Sequence, residues 1–510
     1  MNYANLSTMY RIGIIALLAL LSAGVVQGQD WSQRSQDMQD RLDERLREQQ
    51  ERIDLSFDNQ MKRIWIKTSL QREIAPPSYS PDVPKVFDPN MAPKKIEEPG
   101  RIINLQADEQ VAVAEPTVEA APASAPLEPI DTDVASRIQL LEREVEAEYY
   151  GQRVDMRFDQ RMRFELEGRI TEHRVAEGWR RLESSNYELL ILQMTRKAQE
   201  LRLNDWGYAK LVSQISQQII PYDKNARTLL QWFLLSQSGY IATVGYERDH
   251  LHLLMPTRQR MYGTSFVRGS EHKLYAIDLE GGDLDIGEAH VFPHHHPEAT
   301  RIMDLRVSQA PNLPANVGRR TVRFEYAGRD YSIPLTINRN VVAYYDAYPF
   351  VDLGIYMGAP VSNEAREALI EPLRRAALQL TPRQGRSRKA EAVNFLLHFV
   401  QALPYKTDAE QFGGERYLFA DEVLAFPASD CEDRSVLFAY LVREVVGLET
   451  IGLLYPGHAA AAVAFEGEQL PGDWVQYRGK RYLVCDPTYI GADIGASLPQ
   501  ANIHMAKVVN

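Results

Sequence analysis

Apolar residues recur at helical spacing in two stretches near the start of the chain. Met38, Leu42, Leu46 and Ile53 stand four and seven positions apart within the densely charged residues 30–71, and Ile138, Leu141, Val145 and Tyr149 renew the spacing, followed by Ile170, Trp179 and Leu182. A stripe of this period predicts helices with one apolar side, so helical segments are expected over 29–74 and 133–184. Residues 75–132 between them gather prolines, alanines and acids, as in Ala75-Pro76-Pro77 and Ala120-Ala121-Pro122. Such a composition buries too little apolar surface to offset the entropy of ordering, which predicts a disordered linker. Further on the rhythm shortens. Residues 301–307, 320–326, 331–337 and 341–345 read as brief strands separated by Pro, Asn and Gly turns, a small β-sandwich over 283–360. Residues 363–379 and 388–403 return to helical spacing and open a C-terminal domain, 361–510.

Length and composition narrow the class of protein. A chain of 510 residues exceeds what one hydrophobic core supports, so an α+β multidomain protein is expected. Arg11 precedes an apolar run over 12–26 and then Val26-Gln27-Gly28, whose small residues suit signal peptidase. A signal peptide over 1–28 and a periplasmic or secreted protein follow, with no integral membrane segment after cleavage. The rival reading, an uncleaved anchor, is disfavoured because the run falls short of the ~20 residues a spanning helix needs. The formal charge of −12 leaves no footprint for nucleic acid. Two cysteines, Cys431 and Cys485, cannot build the disulfide framework of a small secreted scaffold.

Chemistry concentrates in three elements of the last third. In Phe426-Pro427-Ala428-Ser429-Asp430-Cys431-Glu432-Asp433-Arg434-Ser435, a proline and an Asp-Ser cluster precede the apolar run Val436, Leu437, Tyr440, Leu441 and Val445, so Cys431 opens a helix. A thiol there is pushed toward thiolate by the helix dipole and by a neighbouring imidazolium. Tyr455-Pro456-Gly457-His458, followed by four alanines, reads as a turn releasing a strand whose first residue is histidine. Residues 474–477 and 481–485 form a hairpin whose outgoing strand ends at Asp486 before Pro487. Acyl transfer at a thiol needs these types: Cys431 as nucleophile, His458 as base and then acid, and Asp486 to hold the imidazole tautomer. The Cys431 N–H is a candidate oxyanion donor, and Gln411 a candidate second one. Strand alternation turns Cys485 away from the site and into the core.

Asp-Cys-x-Asp opening a helix, Pro-Gly-His opening a strand and a strand ending Cys-Asp-Pro-Thr resemble the transglutaminase-like superfamily of the papain-type fold. The resemblance covers about 150 residues, 361–510, and implies a helix packed on an antiparallel sheet with Cys431, His458 and Asp486 as its triad. The string Asp430-Cys431-Glu432-Asp433 is also similar to that of bacterial transglutaminase-like periplasmic cysteine proteinases, some of which bind calcium through acids flanking the cysteine. That likeness makes Asp430, Glu432 and Asp433 candidate calcium ligands, although acids in a first helical turn ordinarily serve as caps and dipole complements. No cofactor is therefore expected. His290, His294, His295 and His296 invite a zinc reading, but adjacent histidines bracketed by prolines diverge, and a solvated loop is expected instead.

Two self-similarities organise the rest. Arg153, Asp155, Phe158, Asp159 and Met162 answer Arg52, Asp54, Phe57, Asp58 and Met61, suggesting two helices that dock alike. Leu437, Gly447, His458 and Asp486 recur as Leu229, Gly239, His250 and Asp278, 208 positions earlier, with Cys431 falling on Asp223. A degenerate transglutaminase-like domain over 185–282, without a thiol, is expected from this. The functional expectation is a secreted cysteine peptidase, amidase or transglutaminase-like enzyme acting on protein or peptide amides. The competing expectation is a non-catalytic envelope scaffold that holds an envelope protein partner through its N-terminal helices.

Overall fold

In the computed structural model the described residues are 57–77, 102–104, 142–498 other than 167, 270, 283 and 384, and 505–509. The expected signal peptide, most of the first charged segment and nearly all of the linker lie outside them. The chain divides into two compact units, 1–63 and 64–510. Of the first, residues 57–61 form a helical turn in which Lys62 pairs with Asp58 at 2.9 Å.

The second unit is a mixed α/β body built on two larger sheets, antiparallel except where the edge strand Ile102–Asn104 runs parallel to Trp474–Tyr477. Helices Glu172–Glu183, Tyr187–Glu200, Asp205–Ile219 and Lys224–Gln237 come first. The last two starts are fixed locally: Asn204 Oδ1 accepts from Gly207 N at 3.1 Å and Asp223 Oδ1 from Ala226 N at 2.9 Å, satisfying donors that have no intrahelical acceptor. The helix Lys224–Gln237 is buried on nearly every side, with Leu229, Leu230, Trp232, Phe233, Leu234 and Leu235 out of solvent. Side chains of this size each contribute about 1.5–3 kcal/mol on burial. They lie against a sheet ordered Ile66–Ser69, Glu288–Val291, Thr243–Glu247, His250–Pro256, Lys273–Ile277, Ser265–Arg268, Gln71–Arg72. Its two outermost strands are consecutive in sequence, so residues 66–72 join one edge to the other and leave neither open.

The second sheet repeats the first. Its order is Lys507–Val509, Thr450–Tyr455, His458–Ala464, Lys480–Cys485, Trp474–Tyr477, Ile102–Asn104. Register agrees as well: Tyr246↔Leu251, Leu254↔Ala276 and Phe266↔Tyr275 upstream correspond to Leu454↔Ala459, Ala462↔Val484 and Trp474↔Leu483, a constant shift of 208. Three ladders agreeing without a slip is a stringent match, because a one-residue slip would send every side chain to the other face. The helix Cys431–Leu441 packs on the second sheet and, like its counterpart, is buried all round.

Several expectations are corrected. Residues 142–159 form the hairpin Glu142–Tyr149 and Gln152–Asp159, not a helix. Val145, Ala147 and Tyr149 on one strand and Val154, Met156 and Phe158 on the other are buried in strict alternation, a period of two that the four-residue spacing of Val145 and Tyr149 also satisfies. Arg153–Asp159 is therefore strand, so the short repeat does not mark two docked helices; its other half is largely outside the described residues. Strands Ile66–Ser69 and Ile102–Asn104 arise in segments read as helix and linker, because sheet edges elsewhere supply their hydrogen bonds. Among the described residues no sandwich forms over 283–360: Val317–Tyr326 pairs with Arg329–Asn338, Glu288–Val291 joins the upstream sheet, and 341–345 belongs to the helix Arg339–Asp346. That hairpin lies on the helix Arg388–Gln401, Phe324 meeting Phe395 at 5.3 Å and Phe399 at 5.7 Å. Among the described residues no helix is long and apolar enough to cross a membrane.

A buried carboxyl gives this body a pH signature. Asp421 accepts from Ser362 N at 2.9 Å and from Ser362 Oγ at 2.5 Å, yet burial pushes its pKa up to about 6. A carboxyl raised on folding binds protons more tightly in the native state, so its contribution to stability falls as pH rises from the unfolded toward the folded pKa. Between pH ~4.5 and ~7.5 this removes about 2 kcal/mol. Urea titrations of wild type and Asp421→Asn at both pH values should show that difference, the variant gaining on wild type at the higher pH; parallel curves would refute it.

Candidate functional site

Cys431 is the first residue of its helix, with Asp430 as N-cap. The thiol donates to Glu432 Oε2 at 3.0 Å and receives the Ala459 N–H at 3.2 Å. The second contact brings the sulfur against the start of the strand His458–Ala464. Pro456 and Gly457, the latter at φ +74°, make the tight turn that puts His458 opposite Tyr455. His458 Nε2 meets Asp486 Oδ2 at 2.6 Å, and Asp486 Oδ1 is fixed by the N–H groups of Thr488 at 2.9 Å and Tyr489 at 3.1 Å. His458 Nδ1 has no hydrogen-bond partner among the described residues. The three residues named from sequence thus converge, and exposures of 0% for Cys431, 4% for His458 and 1% for Asp486 make the site closed to solvent.

The surrounding groups were less legible. Gln411 Nε2 donates to Ala428 O at 3.2 Å, three residues before Cys431. Arg434, fully buried, donates to Leu403 O and, at 3.4 Å, to Pro487 O, so it ties the cysteine helix to the segment after Asp486. Burial lowers its pKa to about 10. Gln401 reinforces the same segment, giving hydrogen bonds to Asp486 O at 3.3 Å and Ala492 O at 3.0 Å. Cys485 is buried and free, its thiol 3.5 Å from Leu483 O, and burial raises its pKa. It stands on the strand face opposite Tyr482 and Val484, which join the core beside Ala460 and Ala462.

Five carboxylic acids crowd the closed end of the site. Asp408, Asp430 and Glu432 offer oxygens within 4.8 Å of one another, all buried. Desolvation, then Asp430, pushes Asp408 up to about 9, and the same two causes raise Glu432 and Asp433 well above the usual range. Glu415 adds to the effect on Glu432. Three hard oxygens this close could hold part of the shell of a divalent cation, which in calcium's case needs about six to eight ligands. Asp433, the third acid named from sequence, is not in that group: it accepts from Leu418 N at 2.8 Å and Asp430 N at 3.4 Å and caps the helix. Nothing in the sequence around Asp408 announces its place there. Among the described residues the histidines at 290 and 294–296 form no such group. His290 stacks on Tyr246 at 5.0 Å, and His296 is buried against Trp179, not solvated.

The upstream copy keeps the frame and changes the chemistry. Both helices have an aspartate N-cap, Asp223 and Asp430, so Lys224, and not Asp223, holds the place of Cys431. Asp278, one residue past its strand, accepts at Oδ1 from Glu280 N at 3.0 Å as Asp486 does from Thr488 N. Its Oδ2 takes the Lys224 ammonium at 2.9 Å, and His250 is left exposed. The carboxylate that orients His458 downstream is occupied by a lysine upstream. Comparison with known proteins gives no match, neither a family model nor a curated protein nor a solved structure.

Proposed function

We propose that 361–510 is a transglutaminase-like, thiol-dependent acyl-transfer domain of a secreted or periplasmic protein, acting on protein or peptide amides. The observation that carries this reading is the 2.6 Å His458–Asp486 contact at the head of the strand whose next N–H touches the Cys431 sulfur. With Nε2 on the carboxylate, Nδ1 is the atom that exchanges the proton. The thiol proton passes to Nδ1 as sulfur attacks the amide carbon; the imidazolium then protonates the leaving amine, and a thioester remains. Water or a second amine attacks the thioester, giving acid or new amide and restoring the thiol. A cation held by Asp408, Asp430 and Glu432 would supply positive charge beside the sulfur and favour thiolate.

The scaffold reading draws on one observation, the complete burial of Cys431, since chemistry there needs an opening step. Iodoacetamide labelling of the full chain near neutral pH, in excess EDTA and in excess calcium, separates the two. Peptide mapping should find the label on Cys431 and not Cys485, with His458→Ala slowing it at least about tenfold as the thiolate is lost. Labelling that is slow in both conditions and indifferent to His458 would favour the scaffold.

A further inference from the structure

The upstream copy carries an open cleft of about 1120 Å³ where its counterpart keeps the closed thiol site, at the N-terminus of the helix Lys224–Gln237 and the turn before His250. Arg169, Tyr222 and Arg248 line it together with Lys224, Glu165 and Asp249. The charges there are not equally engaged. Lys224 is paired with Asp278, and both oxygens of Asp223 accept backbone N–H groups, from Leu166 at 2.6 Å and Ala226 at 2.9 Å. Neither the Arg169 nor the Arg248 guanidinium has a hydrogen bond or ion pair among the described residues. Tyr222 is 97% exposed, the one aromatic among the large hydrophobic side chains that stand in solvent among the described residues. Unspent arginines beside an exposed aromatic ring are the composition of binding anchors, and the ring has no packing reason to stay in water.

We propose that this cleft is a second, non-catalytic binding site for a peptide bearing a carboxylate. Arg169 and Arg248 receive the carboxylate at the positive end of the helix, and Tyr222 covers the adjoining main chain. Glu165 and Asp249 line the same cleft, so the ligand brings amide or cationic groups to flank the carboxylate, which a peptide does and a simple anion does not. The site is distinct from Cys431 and stands whether or not the C-terminal domain turns substrate over.

The test uses the full chain with Cys431→Ala, so that no probe is consumed, and follows fluorescence anisotropy of labelled short peptides of Glu and Gly, Gln and Gly, or Lys and Gly. The Glu peptide should bind best, and Arg169→Ala with Arg248→Ala should weaken it by roughly tenfold or more. Tyr222→Ala should weaken it too, while His458→Ala leaves it unchanged. Both arginines and the tyrosine are on the surface, so circular dichroism and melting temperature should be unaltered. Equal binding of the Gln peptide, equal affinity in the double variant, loss on changing His458, or displacement by inorganic phosphate at the peptide's own concentration would each overturn the proposal.

Discussion

Exchange of Asp486 for asparagine is expected to lower turnover of any amide or ester substrate by about 10³ to 10⁴, with the fold intact. The reason lies in how the carboxylate is held. Asp486 Oδ1 already accepts from Thr488 N and Tyr489 N, so an asparagine must keep its carbonyl oxygen there and turn its amide nitrogen toward His458. An NH₂ facing Nε2 forces that atom to accept, which moves the ring proton to Nδ1, the nitrogen needed as base. The same substitution should slow alkylation of Cys431 and leave the urea midpoint close to wild type. A variant that retains more than a third of the activity would refute the assignment of Asp486.

Arg434→Met should be the most destabilising single change in the C-terminal domain, by about 3 to 5 kcal/mol. The side chain is fully buried, it satisfies the carbonyls of Leu403 and Pro487, and its charge faces Asp430 and Asp486. Methionine fills the volume but leaves two acceptors and those acids uncompensated. Arg434→Lys keeps the charge yet reaches fewer acceptors, so it should fall between. Urea unfolding measures both, and a loss below about 1 kcal/mol for the methionine variant would show that relaxation or water replaces the clamp.

The convergence of Cys431, His458 and Asp486 was legible because each announces itself locally: a cap before Cys431, a Pro-Gly turn before His458, a strand end before Pro487. The shared sheet was legible for the same reason, since Gly239 and Gly447, both at positive φ after their helices, and the residues that end matching strands keep a fixed spacing. What escaped was anything that depends on distant partners. The segment around Val145 has both a four-residue and a two-residue period, and only its partner strand decides between them. Asp408 reaches Asp430 through tertiary packing, with no motif of its own. The offset of 208, drawn from the strands, placed Asp223 under Cys431, whereas the helix caps require one residue less.

The short stretch that joins both edges of the upstream sheet has a consequence for how the protein is made. Ile66 pairs with Val291 and Arg72 with Ser265, so the closing strand leaves the ribosome some two hundred residues ahead of its partners. Contacts of such long range form slowly, and until they do the late-arriving edges are templates for neighbouring chains. Biogenesis of this protein therefore hinges on keeping an early, half-exposed ribbon out of the wrong hands.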